Sequence, residues 1–262
     1  MIRALFTAAT GLQAQQLNTD VIANNIANAN TPGFKRDRLN FQDLLYQTLR
    51  KAGQTSLSGS MVPNSLSVGS GVRPIATQKI FLYGAAQSTG NALDLMISGD
   101  GFFEVTLADG SSAYTRDGTF KLDSEGNIVT ADGLYISPSI TIPADAVRID
   151  VSNDGTVSVQ IGSDATLTQV GQINLTRFQN PAGLEAIGQN LFKQTDASGD
   201  PITGTPGEEG YGQIAQGYLE ASNVSIVDEL VQLIIAQRAF ETNSRAVAVA
   251  DQLLSISNNL AR

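Results

Sequence analysis

The chain has 262 residues, of which 42% are hydrophobic, and it contains no Cys, His or Trp. That apolar content suffices for one large core or two modest ones, but the imidazole and thiol groups of most metal sites and nucleophilic catalysts are missing, so no cofactor or metal is expected. The formal charge of −9 is uneven: residues 1–52 hold six Lys/Arg against three Asp/Glu, residues 53–217 seven against seventeen, and residues 218–262 three against five. An acidic middle is the wrong footprint for nucleic acid.

Residues 2–29 are amphipathic and almost free of Gly and Pro. Leu5, Leu12, Thr19 and Ile26 recur every seven residues, with Ala8, Gln15 and Ile22 between them, which predicts a first helix with a heptad seam. Asn24, Asn25, Asn28 and Asn30 crowd its end, where Asn tolerates left-handed geometry. Thr31-Pro32-Gly33 then stops it, because Pro32 pushes Thr31 out of the helical region. The Asn cluster reads either as a poor helix end or as a side-chain amide network between neighbouring chains. The basic cluster Lys35, Arg36, Arg38 is interrupted by Asp37 and reads as a solvated or subunit-contacting turn.

Phe41, Leu44, Leu45 and Leu49 predict a short helix over residues 40–51. Residues 52–73 are rich in Gly and Ser and contain Pro63, as a flexible linker or an extended arm would be. From 75 to 216 the pattern is β. Leu93, Leu95 and Ile97 alternate with polar residues, and turns at Asp109-Gly110, Asp117-Gly118, Glu125-Gly126-Asn127 and Asp132-Gly133 separate short strands. Asn153-Asp154-Gly155 divides a hairpin, 147–151 from 156–161. The repeated Asp-Gly pairs lack the twelve-residue ligand spacing of an EF-hand, so they read as turns and not as calcium loops.

After Ser222-Asn223, a plausible N-cap region, the chain turns helical again. Ile235, Ala239, Thr242, Ala246, Val249, Leu253, Ile256 and Leu260 hold 4-3-4-3 spacing. The helical pattern runs for nearly forty residues, on the order of 55 Å at 1.5 Å per residue. Such a seam needs a partner helix. Its simplest partner is the other terminus, and two core helices of one globular domain are the alternative.

The fold class is therefore α+β: paired N- and C-terminal helices forming a coiled coil, with a central antiparallel all-β domain. The expected division is 1–36 with 217–262 as the helical domain, 37–74 as short helix and arm, and 75–216 as the β domain. No stretch reaches the eighteen apolar residues of a membrane span, so no membrane insertion is expected. The N-terminal run is broken at Thr7, Thr10, Gly11 and Gln13, so any export is expected without a cleaved signal peptide. No G-x-S-x-G, S-x-x-K, Walker A or strand-linked G-x-G-x-x-G motif is present, so the chain is not expected to be an enzyme.

The motifs TAATGLQAQQ (7–16) and DVIANNIANANTPGFK (20–35) resemble the N-terminal signature of the bacterial flagellar rod and hook proteins. DLMISGDGFFEV (94–105), YTRDGTFKLDSEGNIVT (114–130) and QGYLEASNVSIVDELVQLIIAQRAFETNSRAV (216–247) resemble the family's β-domain and terminal-helix motifs. Within it, the length and the stretch Tyr46–Pro63 followed by GSGVRPIATQ (69–78) resemble the distal-rod members; a proximal-rod or hook-like member is the alternative. The resemblance implies a structural subunit of the flagellar basal body. It would be exported through the flagellar apparatus and polymerise into a rigid hollow drive shaft that spans the periplasm. Its partners would be further copies of itself, other rod proteins, the hook protein and the surrounding rings. It also implies that residues 46–63 form an arm that braces neighbours. The residues expected at subunit contacts are Leu5, Leu12, Ile22, Asn24, Asn25, Ile26, Asn28 and Phe34; Tyr46, Leu49, Leu57 and Pro63 in the arm; and Leu233, Phe240, Val249, Leu253, Ile256 and Leu260 in the last helix.

Overall fold

The computed structural model of the protein describes residues 2–53, 61, 63–162 and 166–260. They divide into a helical unit (1–27, 37–78 and 225–262) and a β unit (28–36 and 79–224). This departs from the sequence expectation in three places. Residues 28–36 and 217–224 belong with the β unit, and residues 37–78 pack with the helices.

In the helical unit, α1 (Ile2–Ala27) packs along α2 (Ile226–Leu260). Ser225 starts α2: its hydroxyl accepts from the Asp228 N–H, and its carbonyl from the Glu229 N–H at 3.0 Å. The cap is thus three residues beyond Ser222. Asp228 and Glu229 occupy the first turn, where the helix dipole favours carboxylates.

Residues 40–51, expected as a helix, are extended instead. They contribute to β1 (Asp37–Asp43) and β2 (Gln47–Arg50). Helical periodicity over so few residues is a weak signal, and strand pairing overrides it. β2 pairs with β3 (Leu66–Val68), and β1 pairs with β4 (Val72–Lys79). The ladder is rooted on α1 at Gly71, where a Cβ would lie 2.2 Å from the Thr10 hydroxyl oxygen. Only glycine fits there, and its φ of +113° is one that L side chains rarely adopt.

The β unit is antiparallel throughout its described pairings. Phe102–Thr106 is its central strand, flanked by Ser112–Thr115 on one side and by Tyr135–Ile136 and Leu175–Arg177 on the other. A second sheet holds Ala146–Val151, Thr156–Ile161 and Leu167–Gln172. The main core packs Leu95, Ile97, Phe103, Phe120, Ile128 and Ile214 against Val157, Val159 and Ile173 of that sheet and its margin. Burial of such aliphatic and aromatic side chains contributes about 1.5–3 kcal/mol each. A satellite cluster stacks Phe102, Tyr114, Phe178 and Phe192 edge to face, with centroids 4.7 Å apart for Tyr114–Phe178.

The Asp-Gly pairs are turns. Asp109 accepts from the Ser111 N–H and hydroxyl, and Asp123 from the Asn127 side-chain amide and the backbone N–H groups of Glu125 and Asn127. These bonds to the ionised form, the side-chain ones foremost, hold both carboxyls below the ordinary range.

Lys35 corrects the sequence reading most sharply. Its side chain is fully buried and pairs with Glu220, whose other oxygen lies 3.4 Å from Arg116. Lys35 also donates to the Leu82 carbonyl at 2.8 Å, and the Gly84 N–H donates to Glu220 at 2.9 Å. Burial lowers the pKa of both cations, opposed by the Glu220 charge. Two cations therefore share one carboxylate, with Arg116 also lying over the faces of Phe102 and Tyr83. Asn223 adds a second tie. Its amide donates to the Ile80 carbonyl at 2.7 Å and accepts from the Arg36 N–H at 2.8 Å. Residues 33–36, 80–84 and 220–223 are thereby fastened together.

Candidate subunit interface

The helix pair is joined by a stripe other than the most apolar one. On α2 the residues turned toward α1 are Glu229, Leu233, Ala236, Asn243, Val247, Ala250 and Leu254, all buried or half-buried. Their spacing is heptad-like, with small or polar side chains interspersed among Leu233, Val247 and Leu254. On α1 the corresponding face carries Ala8, Gly11, Ala14, Asn18, Ile22 and Asn25. Small residues bring the axes close. A Cβ added to Gly11 would sit 2.9 Å from the Asn243 amide nitrogen, so the contact is tight there.

Asn25 locks the pair at its lower end. It is 1% exposed. Its amide donates to the Asp37 carbonyl at 2.9 Å and to Glu229 at 3.3 Å, and its oxygen accepts from the Asp37 N–H at 2.9 Å. One side chain thus ties α1, the start of β1 and the first turn of α2. An amide network does exist, but at Asn25 it closes within one chain. Asn25 and Ile22, expected at contacts between subunits, are used up inside the subunit.

The apolar 4-3-4-3 stripe of α2 points away from α1. Ile235, Val249, Leu253 and Ile256 are each about half exposed, and Val227, Val231 and Ile234 extend the apolar surface toward the start of the helix. Phe240 is also exposed. The inference that this stripe seats against the chain's own N-terminal helix is therefore corrected: the helices pair, but through the neighbouring face. A run of apolar side chains along a 35-residue helix far exceeds the scattered exposure normal for a soluble surface.

The other expected residues are distributed as follows. Leu5, Leu12, Ile26, Asn28 and Leu233 are half-buried in their own units, and Asn24 is exposed. Phe34 is half-buried with the Lys79 ammonium 5.2 Å above its ring. Tyr46, Leu49 and Pro63 are exposed on the β2–β3 ladder and its approach, as are Leu45, Met61 and Leu66. Leu57 and the Leu260 side chain lie outside the described residues. Sequence reasoning missed Phe6 and Leu17, whose exposed side chains make α1 apolar on its outer face as well. Both stand off the heptad positions, which is the signal that would have found them.

Among the described residues, no group of three or more Asp or Glu is placed to hold a metal ion, and no helix is long and apolar enough to cross a membrane. What the arrangement offers is apolar surface on two helices and on a projecting two-stranded arm.

Comparison with known proteins bears on the same segments. Three family profiles match: "Flagella basal body rod protein" over residues 5–35, "Flagellar hook protein FlgE/F/G D1 domain" over 96–159, and "Flagellar basal body rod FlgEFG protein C-terminal" over 215–260. The flagellar basal-body rod protein FlgG of Borreliella burgdorferi is 50% identical over the full length of both chains. That of Agrobacterium fabrum is 48% identical, covering 99% of this chain and 100% of its own. The flagellar basal-body rod protein FlgF of Caulobacter vibrioides is more distant, 36% identical over 92% of this chain and 91% of its own. With matches of this extent to a helix–β–helix chain whose helices keep their apolar faces outward, the chain belongs to the flagellar basal-body rod protein family, as a structural subunit of the FlgG kind.

Proposed function

We propose that the chain polymerises head to tail into the distal rod of the flagellar basal body, a stiff hollow shaft that carries torque toward the hook. The observation that carries this reading is the outward stripe Ile235–Val249–Leu253–Ile256 on a helix already paired through its other face. A subunit with two unlike sticky surfaces, here the α2 stripe and the arm, makes heterologous contacts. Such contacts extend into a helical filament when the rotation does not close. The neighbours along the shaft are further copies, other rod proteins and the hook protein, with the rings outside. The function is mechanical, and no bond is made or broken.

The experiment is assembly of the full chain carrying Leu253→Asp or Ile256→Asp. Removing a packed Leu or Ile costs about 2–5 kcal/mol per contact, and setting an unpaired carboxylate in its place costs more. The cost recurs at every subunit, so assembly and motility are lost, while circular dichroism shows the β unit still folded. Normal motility from both variants refutes the proposal.

A further inference from the structure

The β unit holds a cavity of about 480 Å³, inside the roughly 300–1,000 Å³ span of ligand clefts. Phe81, Phe102 and Phe178 line it, with Ile202 half exposed at its edge. Phe102 meets Phe81 and Phe178 edge to face, with centroids 5.4 and 5.9 Å apart, so packing holds these walls in place. Two guanidiniums, Arg116 and Arg177, line the same cavity.

Their charge runs against the surroundings. Residues 53–217 carry seven Lys/Arg against seventeen Asp/Glu, and two of the seven meet here. Arg116 is 3% exposed and shares Glu220 with Lys35. Its Nε–H is buried and has no hydrogen-bond partner among the described residues, where a buried donor is normally satisfied. Arg177 is half-buried, lies over the Tyr211 ring and donates to the Gly210 carbonyl at 3.2 Å, but no carboxylate pairs with it among the described residues. Asp100 is the one carboxylate in the lining; it is exposed and accepts from the Tyr83 hydroxyl at 2.7 Å. Lys35, Arg116 and Arg177 thus stand against Glu220 and Asp100, and one positive charge is left over.

We propose that this cavity binds a short acidic–aromatic segment of another protein, with its Asp or Glu carboxylate on Arg177 and the adjoining aromatic ring among Phe81, Phe102 and Phe178. A guanidinium presents a fork of donors matched to a carboxylate. Asp100 accepts a main-chain N–H of the bound segment, a donor that a simple carboxylic acid lacks. Tyr83 and Ile202 are each at least half exposed and continue the apolar surface past the cavity, where a running chain covers more than a small molecule does. The site stands on the β unit alone and is independent of the polymer reading above.

The test is NMR on the full chain as dilute monomer, with acetyl-Glu-Phe-amide as the probe. Saturable shifts are expected at the Gly101 amide and at the Nε–H signals of Arg116 and Arg177. Acetyl-Gln-Phe-amide, which lacks the charge, should bind about tenfold more weakly. Arg177→Gln should weaken the Glu peptide by a similar factor. Ile202→Glu, at an exposed edge position, should do the same by repulsion while circular dichroism stays unchanged. No saturable shift, equal affinity for the two peptides, or unaltered affinity in both variants overturns the proposal. Phenylacetate binding as tightly as the peptide shows a site for free carboxylates and also overturns it. The same shifts on concentrating the chain without peptide identify a second copy as the occupant, and overturn it likewise.

Discussion

Replacing Glu220 by Ala removes the carboxylate that pairs with both Lys35 and Arg116 in the buried tie of the β unit. Both cation side chains are at most 2% exposed, so solvent does not compensate them. Breaking a buried ion pair by deleting one partner costs about 3–5 kcal/mol. The Gly84 N–H also loses its acceptor, which adds about 1–3 kcal/mol. A loss of this size is a large part of the roughly 5–15 kcal/mol that holds an ordinary domain folded. Glu220→Gln keeps an acceptor but no charge, and should fall between. Lys35→Met removes the surplus cation and leaves Arg116 paired, so it should be the mildest of the three. The assay is urea unfolding of the monomer followed by circular dichroism, reading the midpoint at unchanged slope. pH provides a second check. Folded Lys35 gives up its proton below the ordinary lysine value of 10.5, so the unfolded chain binds more protons in that window and stability rises with pH across it. Without Glu220 the window widens downward, and the deficit of Glu220→Ala should shrink as pH climbs toward 10.5. A Glu220→Ala midpoint equal to wild type, or a larger loss from Lys35→Met, refutes the reasoning.

Replacing residues 46–63 by Gly/Ser of equal length should leave the β unit folded and the polymer formed but curved, because a flexible coil cannot hold two subunits at fixed separation; straight rods in micrographs reject a bracing arm. Asn25→Ala should lower the stability of the helical unit by about 1–3 kcal/mol, since it removes the Asn25 bonds to the Asp37 amide and carbonyl; unchanged amide exchange at Asp37 contradicts this. The Asp109 and Asp123 carboxyls should titrate below the ordinary 3.8 by NMR, so the stability they add is present above that value and lost as pH falls through their lowered pKa; midpoints at or above 3.8 dismiss the turn bonds as their cause. In dilute monomer both helices should exchange faster than the β core, because their outward apolar side chains lack a covering neighbour; equal protection contradicts the claim that neighbours complete them.

Much of this was legible in the sequence, and the misses have common causes. The two helices and the hairpin over Ala146–Val151 and Thr156–Ile161 follow from periodicity and Asp-Gly turns. Periodicity shows that a face is apolar, however, and not which neighbour covers it. The strongest stripe of α2 predicts a seat on the chain's own α1, while the face used there mixes Leu233, Val247 and Leu254 with Ala236, Asn243 and Ala250, which read as filler between the large residues. Lys35 reads as solvated because its partners, Glu220 and the Leu82 carbonyl, are distant in sequence. No local pattern marks a lysine for burial. Residues 40–51 carried helical spacing by chance over too few positions to outweigh pairing with strands further along the chain.

The central claim is that the apolar face of α2 belongs to the neighbours in a polymer. A cryo-EM reconstruction of the assembled rod at side-chain resolution tests it most directly. The account predicts Ile235, Val249, Leu253 and Ile256 packed against helices of adjacent copies, with Ala236, Asn243 and Ala250 still on the chain's own α1. A rod in which that apolar stripe faces open solvent, or is folded back on the subunit's own α1, contradicts it.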